Sequence, residues 1–152
     1  MVAGRHRYEA ALSLKWTHIS AVVRPWDEDD ASLWEIDENL MRAELSDAQR
    51  ADHHARREAI MVRKGLVRSG PGQPKKNSDK LSAYSATAAA ELGVDERTVR
   101  RDLSRGKKIA PEVLSEVAGT DLDKGVVLDR LAATPISQQC LAGIKGCPAT
   151  AA

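Results

Sequence analysis

The segment from Tyr84 to Lys108, YSATAAAELGVDERTVRRDLSRGKK, contains two helix patterns separated by a short turn. Alanine has the highest helix propensity, and it recurs through residues 84–92. Gly93 tolerates a positive φ angle, and Asp95 is a good N-cap for a second helix from Glu96 to about Lys108. Two helices joined by so short a turn predict a helix-turn-helix.

Packing of these two helices requires small side chains on the first and an apolar stripe on the second. The alanines at 88–90 leave room for the second helix to approach, and Val94 should be tucked in after the turn. At about 100° per residue, Val99 and Leu103 lie roughly 40° apart, so we expect both to face the core.

The opposite side of the second helix is basic. Four polar residues fall within about 40° of the direction opposite Val99. They are Arg97, Arg101, Ser104 and Lys108. Arg100 and Arg105 flank this face. A basic stripe opposite an apolar one is the pattern expected of a helix that packs on one side and contacts DNA on the other.

Position along the helix separates two kinds of DNA contact. The N-terminal residues of a recognition helix reach base edges in the major groove, where arginine pairs bidentately with guanine. We therefore expect Arg97, Thr98 and Arg101 at base edges. Phosphate contacts add affinity without sequence information, and we assign them to Arg105, Lys107 and Lys108. The full set of DNA-binding candidates is Arg97, Thr98, Arg100, Arg101, Ser104, Arg105, Lys107 and Lys108.

The charge distribution supports a polyanionic partner. The 152 residues carry 23 Lys and Arg against 22 Asp and Glu, a net charge of +1. From Arg24 to Val62, five basic minus eleven acidic residues give −6. From Arg63 to Ala110, twelve basic minus five acidic residues give +7. A basic block of this length is typical of a nucleic-acid-binding surface.

The N-terminal part has a different pattern. Residues 9–14 favour a helix, and Ile19–Val23 is a β-branched run before Pro25 that predicts a short strand. Asp29 or Asp30 could cap a following helix that extends through residue 40.

The helices on either side of the helix-turn-helix have clear boundary signals. Ser46 followed by Gln49 is a capping-box pattern for a helix from Asp47 to about Lys64, and Gly65 is placed to end it. Residues 66–79 contain two Gly and two Pro and indicate a linker. Further helices are expected at 111–117 and 122–132, and the tail after 133 has weak patterning.

Three segments, in this order, resemble the ParB family of partition proteins. VAGRHRYEAALSLKWTHISAVV, residues 2–23, resembles the family's second N-terminal box, a Gly-x-Arg-Arg-type loop that opens a helix. IDENLMRAELSDAQRADHHARRE, residues 36–58, resembles its third box, built on Glu-Asn-x-x-Arg. GQPKKNSDKLSAYSATAAAELGVDERTVRRDLSRGKKIAPEVL, residues 72–114, resembles the DNA-binding segment of ParB-like proteins of mobile elements. The resemblance covers roughly residues 1–132.

The resemblance implies a sulfiredoxin-like N-terminal domain that binds CTP and closes a dimer into a clamp on DNA. Gly4, Arg5 and Arg7 would match its phosphate-contacting loop, although His6 departs from the usual arginine-rich pattern. Glu38, Asn39 and Arg42 would match the third box. Because the chain begins at the second box, we expect a truncated nucleotide-binding half. We expect no CTP hydrolysis, no catalytic residues and no metal site.

Together these observations predict a mainly α fold, in which a truncated α/β ParB/sulfiredoxin-like remnant precedes a helical bundle with a helix-turn-helix. The expected divisions are a partial ParB-like domain at 1–45, a connecting helix at 46–65, a basic linker at 66–80, a DNA-binding domain at 81–133 and a tail at 134–152.

The expected function is sequence-specific DNA binding in plasmid or chromosome partition, or in related transcription regulation. Double-stranded DNA is the expected partner, with a partition ATPase and a second copy of the chain as further candidates. The absence of a signal peptide and of a membrane-length apolar run favours the cytoplasm. Two alternatives stay open: a basic solvated helix in an ordinary bundle, and a ParB-like nuclease or CTP-dependent DNA clamp enzyme.

Overall fold

The computed structural model describes residues 4–42, 44–68 and 82–139. The described part of the chain is mainly helical. Its helices are α1 (Arg5–Ser13), α2 (Glu28–Leu40), α3 (Asp47–Arg63), α4 (Tyr84–Leu92), α5 (Glu96–Lys108), α6 (Pro111–Val117) and α7 (Gly125–Ala133), followed by a short 3₁₀ helix at Ile136–Gln138. Residues 69–81, which hold most of the expected linker, and the tail from 140 onward lie outside the described residues.

Among the described helices, α2, α3 and α5 each begin directly after a residue whose side chain caps the helix. Ser46 accepts a hydrogen bond from the backbone N–H of Gln49, and the Gln49 side chain accepts one from the Ser46 N–H, which completes the capping box of α3. The start of α2 was placed wrongly: its N-cap is Asp27, which accepts from the N–H of Asp30 at 2.7 Å. Three acidic residues follow Asp27, so the sequence alone did not distinguish which acidic residue is the N-cap. Helix α7 begins at residue 125 rather than 122.

The strand expected at Ile19–Val23 is absent, and residues 4–42, 44–68 and 82–139 contain no strand. Val22 and Val23 are 81 % and 92 % exposed. A strand needs neighbouring chain to accept its backbone hydrogen bonds, and no described segment pairs with this one. The α/β part of the expected fold is therefore not found among the described residues.

Two apolar clusters hold the helices together, and α3 contributes to both. In one, Ala48 and Ala51 of α3 pack with residues of α6 and α7. In the other, Met61 of α3 packs with Tyr84 of α4 and Val99 of α5. The helix α3 was expected to be a connecting helix ahead of a linker. In the structure it packs along α5 and belongs to the same core as the helix-turn-helix.

None of the helices in the described residues is both long enough and apolar enough to cross a membrane.

Candidate nucleic-acid interface

The turn between α4 and α5 has the backbone geometry that its sequence predicts. Gly93 adopts a left-handed conformation with φ 66° and ψ 29° at the end of α4. Asp95 then caps α5 by accepting a hydrogen bond from the N–H of Arg97 at 2.8 Å. Val94, which was expected to be tucked in, is 43 % exposed, so that prediction is wrong. Its backbone N–H donates to the carbonyl of Ala89 at 3.2 Å.

The apolar side of α5 is buried as its helical phase predicts. Val99 is fully buried and Leu103 is nearly so. Ala88 of α4 is fully buried against them, and Ala89 packs at the edge of the same cluster. The side of α5 opposite Val99 is thereby turned toward solvent.

Three cations on that outward side have no ion-pair partner among the described residues. They are Arg97, Arg101 and Lys108. On an α-helix their directions lie within about 40° of one another, so they form one stripe along α5. Ser104 lies on the same stripe and Thr98 beside it, and both are half-buried. We call Arg97, Arg101 and Lys108 the basic stripe.

The remaining cations of α5 have carboxylate partners. Arg100 bonds to Glu96 within the helix, with its terminal nitrogen 2.7 Å from Oε1. Lys107 forms an ion pair with Glu58 of α3, whose side chain is only 3 % exposed. Their positive charges are therefore partly compensated within the protein.

Arg105 was predicted to contact phosphate, and its position contradicts that prediction. It is 4 % exposed. Its guanidinium donates to Asp129 at 2.8 Å, to Asp102 at 3.1 Å and to the carbonyl of Gly125 at 3.0 Å. The hydrogen bond to Asp129 is the largest cause of the raised pKa of Arg105. Arg105 therefore joins α5 to α7 and cannot reach DNA from this position.

The burial of Asp102 and its pairing with two arginines were not predicted from the sequence. Asp102 is 1 % exposed and lies between Arg105 and Arg50 of α3, whose Nε is 3.3 Å away. Burial raises the pKa of Asp102 despite the opposing effect of these two arginines. The three-residue spacing of Asp102 and Arg105 was the available signal for their pairing.

A second buried polar cluster joins α2, α3 and α4 beneath the helix-turn-helix. The hydroxyl of Tyr84 lies 2.8 Å from Nδ1 of His54. Arg57 donates to Asp37 at 2.5 Å and to Glu91 at 2.7 Å. These bonds fix the orientation of α4, and hence of the turn that directs α5.

The nucleotide-binding candidates lie at two separate helix ends. Gly4 precedes α1 with φ 82°, and Arg5 pairs with Glu9 at 2.8 Å. At the end of α2, Arg42 pairs with Glu38 at 2.8 Å. Arg7 is exposed and Asn39 is half-buried. No hydrogen bond or ion pair between described side chains joins the two groups.

No group of three His, Cys, Asp or Glu side chains in the described part of the chain is arranged to hold a metal ion. Comparisons with protein-family models, curated proteins and solved structures found no match to this chain. Functional inference therefore depends on the geometry of α4, the turn and α5.

Proposed function

We propose that this chain binds duplex DNA by inserting α5 into the major groove. The observation that carries the proposal is the division of α5 into two sides. Val99 and Leu103 are buried against α3 and α4, while the basic stripe faces solvent without ion-pair partners in the described chain. A rigidly supported helix with one exposed basic face matches the requirements of a recognition helix.

The dimensions of α5 suit the groove. Its 13 residues span about 20 Å, and the major groove of B-DNA is about 12 Å wide and admits one α-helix. Arg97 and Arg101 lie in the first half of the helix, where contact with base edges is expected. Lys108 lies at its end and is placed for a backbone phosphate.

The resemblance to ParB proteins supports a biological setting. DNA binding in plasmid or chromosome partition, or in transcription regulation, is consistent with a helix-turn-helix. The main support for DNA binding itself is the geometry of α5, which is independent of that resemblance.

The test is DNA binding by Arg97→Ala, Arg101→Ala and the double variant, using sequences selected from a random duplex pool. Each arginine that makes a bidentate guanine contact contributes about 1–3 kcal/mol of discrimination, so each single variant should lose roughly 5–150-fold in affinity for the selected sequence. Arg101→Lys should retain phosphate attraction but lose discrimination between bases.

Arg56→Ala provides the matched control. Arg56 is an exposed arginine on α3, roughly 160° around the helix from Glu58, and therefore on the side away from α5. It should bind DNA like the wild type. Equal affinity of wild type and the Arg97, Arg101 double variant would refute the proposal.

A further inference from the structure

The carboxylate of Glu96 joins α4 to α5 at the start of the candidate recognition helix. Its Oε1 accepts a hydrogen bond from the hydroxyl of Ser85 at 2.9 Å. The same oxygen accepts from Nε of Arg100 at 3.2 Å and lies 2.7 Å from its terminal nitrogen. Ser85 is 7 % exposed, so the residue that anchors Glu96 is buried, and it lies in the first turn of α4.

This arrangement differs from an ordinary exposed pair between residues four apart. Glu96 is held from two sides, by a buried hydroxyl on one helix and a guanidinium on the other. The hydrogen bonds from Arg100 and Ser85 lower the pKa of Glu96, so the carboxylate is ionised at neutral pH.

Arg100 lies about 60° around α5 from Arg97, next to the basic stripe. Its side chain is 56 % exposed, and without Glu96 it could turn toward a backbone phosphate. Phosphate contacts increase affinity for every sequence equally. A counter-ion that holds Arg100 would therefore lower affinity for duplex DNA of any sequence and leave the contacts of Arg97 and Arg101 unchanged.

We propose that Glu96 is a positioning residue that limits the overall affinity for DNA: anchored by Ser85, it pairs with Arg100 and withholds that cation from DNA phosphates. This inference rests on the proposed function.

Glu96→Gln tests the proposal, because glutamine can still accept from Ser85 but no longer carries the charge that pairs with Arg100. We expect a several-fold gain in affinity for a random-sequence duplex at low salt. The slope of log affinity against log salt should steepen by about 0.9, the value for one additional phosphate contact. The ratio of selected-sequence to random-sequence affinity should stay unchanged, because a phosphate contact carries no sequence information.

Arg100 supplies the decisive comparison. Arg100→Ala should change random-duplex binding little in the wild type, where Glu96 compensates the charge. In the Glu96→Gln background the same change should cancel the gain. That non-additivity is what an interacting pair predicts for a double-mutant cycle.

Asp52→Asn is a matched control for the loss of one acidic charge. Asp52 pairs with Arg56 four residues later, at 3.6 Å, and lines a pocket with Pro111 and Leu114 of α6. This variant also frees an arginine from its carboxylate, but at a position that should not meet DNA. It should leave affinity and salt slope unchanged.

The outcomes separate this inference from the proposed function. If wild type fails to bind duplex DNA, or Arg97 and Arg101 do not matter, both fail. If those arginines matter but Glu96→Gln leaves random-duplex affinity and salt slope unchanged, the role of Glu96 alone is overturned. An equal gain in Asp52→Asn would also overturn it, because net charge would then explain the effect. Thermal melting of each variant identifies any loss of fold.

Discussion

Gly106 of α5 lies directly against the backbone of Ala51 in α3. A β-carbon at position 106 would be 2.8 Å from the carbonyl carbon of Ala51 and 2.8 Å from the β-carbon of Ala55. The two helices approach this closely only because residue 106 has no side chain. Their crossing sets the direction in which α5 presents its basic stripe.

We predict that Gly106→Ala destabilises the protein. Alanine is better than glycine by about 1 kcal/mol in a helix interior, but overpacking of a close contact costs about 1–3 kcal/mol. The close approach to backbone in α3 places the cost toward the upper end of that range. The free energy of unfolding in urea should fall by roughly 1–2 kcal/mol. Ser104→Ala, on the same helix, is the control, and a stabilised Gly106→Ala would show that α3 and α5 are less closely packed.

Arg105 should behave as a structural residue. Replacement by alanine leaves Asp102 buried with Arg50 as its remaining guanidinium partner, and breaking one partner of a buried ion pair costs about 3–5 kcal/mol. We expect a large drop in the thermal midpoint for Arg105→Ala. The milder Arg105→Gln removes the charge but keeps a hydrogen-bond donor, and it should fold at low temperature with an unchanged salt slope for DNA. A salt slope lowered as much as in Arg101→Ala would instead place Arg105 on DNA.

Lys107 and Lys108 are adjacent in sequence but should respond differently to substitution. Lys108→Ala should reduce the salt slope for DNA by about 0.9 and leave stability within about 0.5 kcal/mol of wild type. Lys107→Ala removes the ion-pair partner of the buried Glu58 and should lower stability, with a smaller effect on the slope. Urea unfolding and a salt series on both variants check this contrast. If the two variants lose the same stability and change the salt slope by the same amount, the ion pair with Glu58 does not distinguish these lysines.

Local signals were sufficient to predict α4, α5 and the turn between them. Gly93 and Asp95 define the turn and the cap, and the spacing of Val99 and Leu103 defines the buried side of α5. These features depend on neighbours within a few residues, so the sequence contains them directly. The outward direction of Arg97 follows from the same helical phase.

Predictions that depend on distant partners were less successful. The burial of Arg105 requires Asp129, which is 24 residues away and belongs to another helix. The strand at Ile19–Val23 failed because β-branched composition does not supply a pairing partner. The packing of α3 on α5 depends on Ala51, an alanine with no periodic signal that distinguishes it from an exposed one.

His54 should make stability depend on pH. Its ring is 3 % exposed, and burial, followed by the nearby Arg57 and Arg50, lowers its pKa from the ordinary 6.5 to about 4. Between these values the unfolded chain binds more protons than the folded one, so folding stability decreases as pH falls from about 6.5 to about 4. At about 1.4 kcal/mol per pKa unit the full difference is roughly 3 kcal/mol.

Urea unfolding at several pH values measures the effect of His54. His54→Gln removes the titrating group at the same position and should flatten the decrease in stability over this pH range. His18→Gln is the control, because His18 is exposed, and it should keep the wild-type pH profile. If His54→Gln retains the wild-type profile, the buried imidazole facing Tyr84 is not the source of the acid sensitivity.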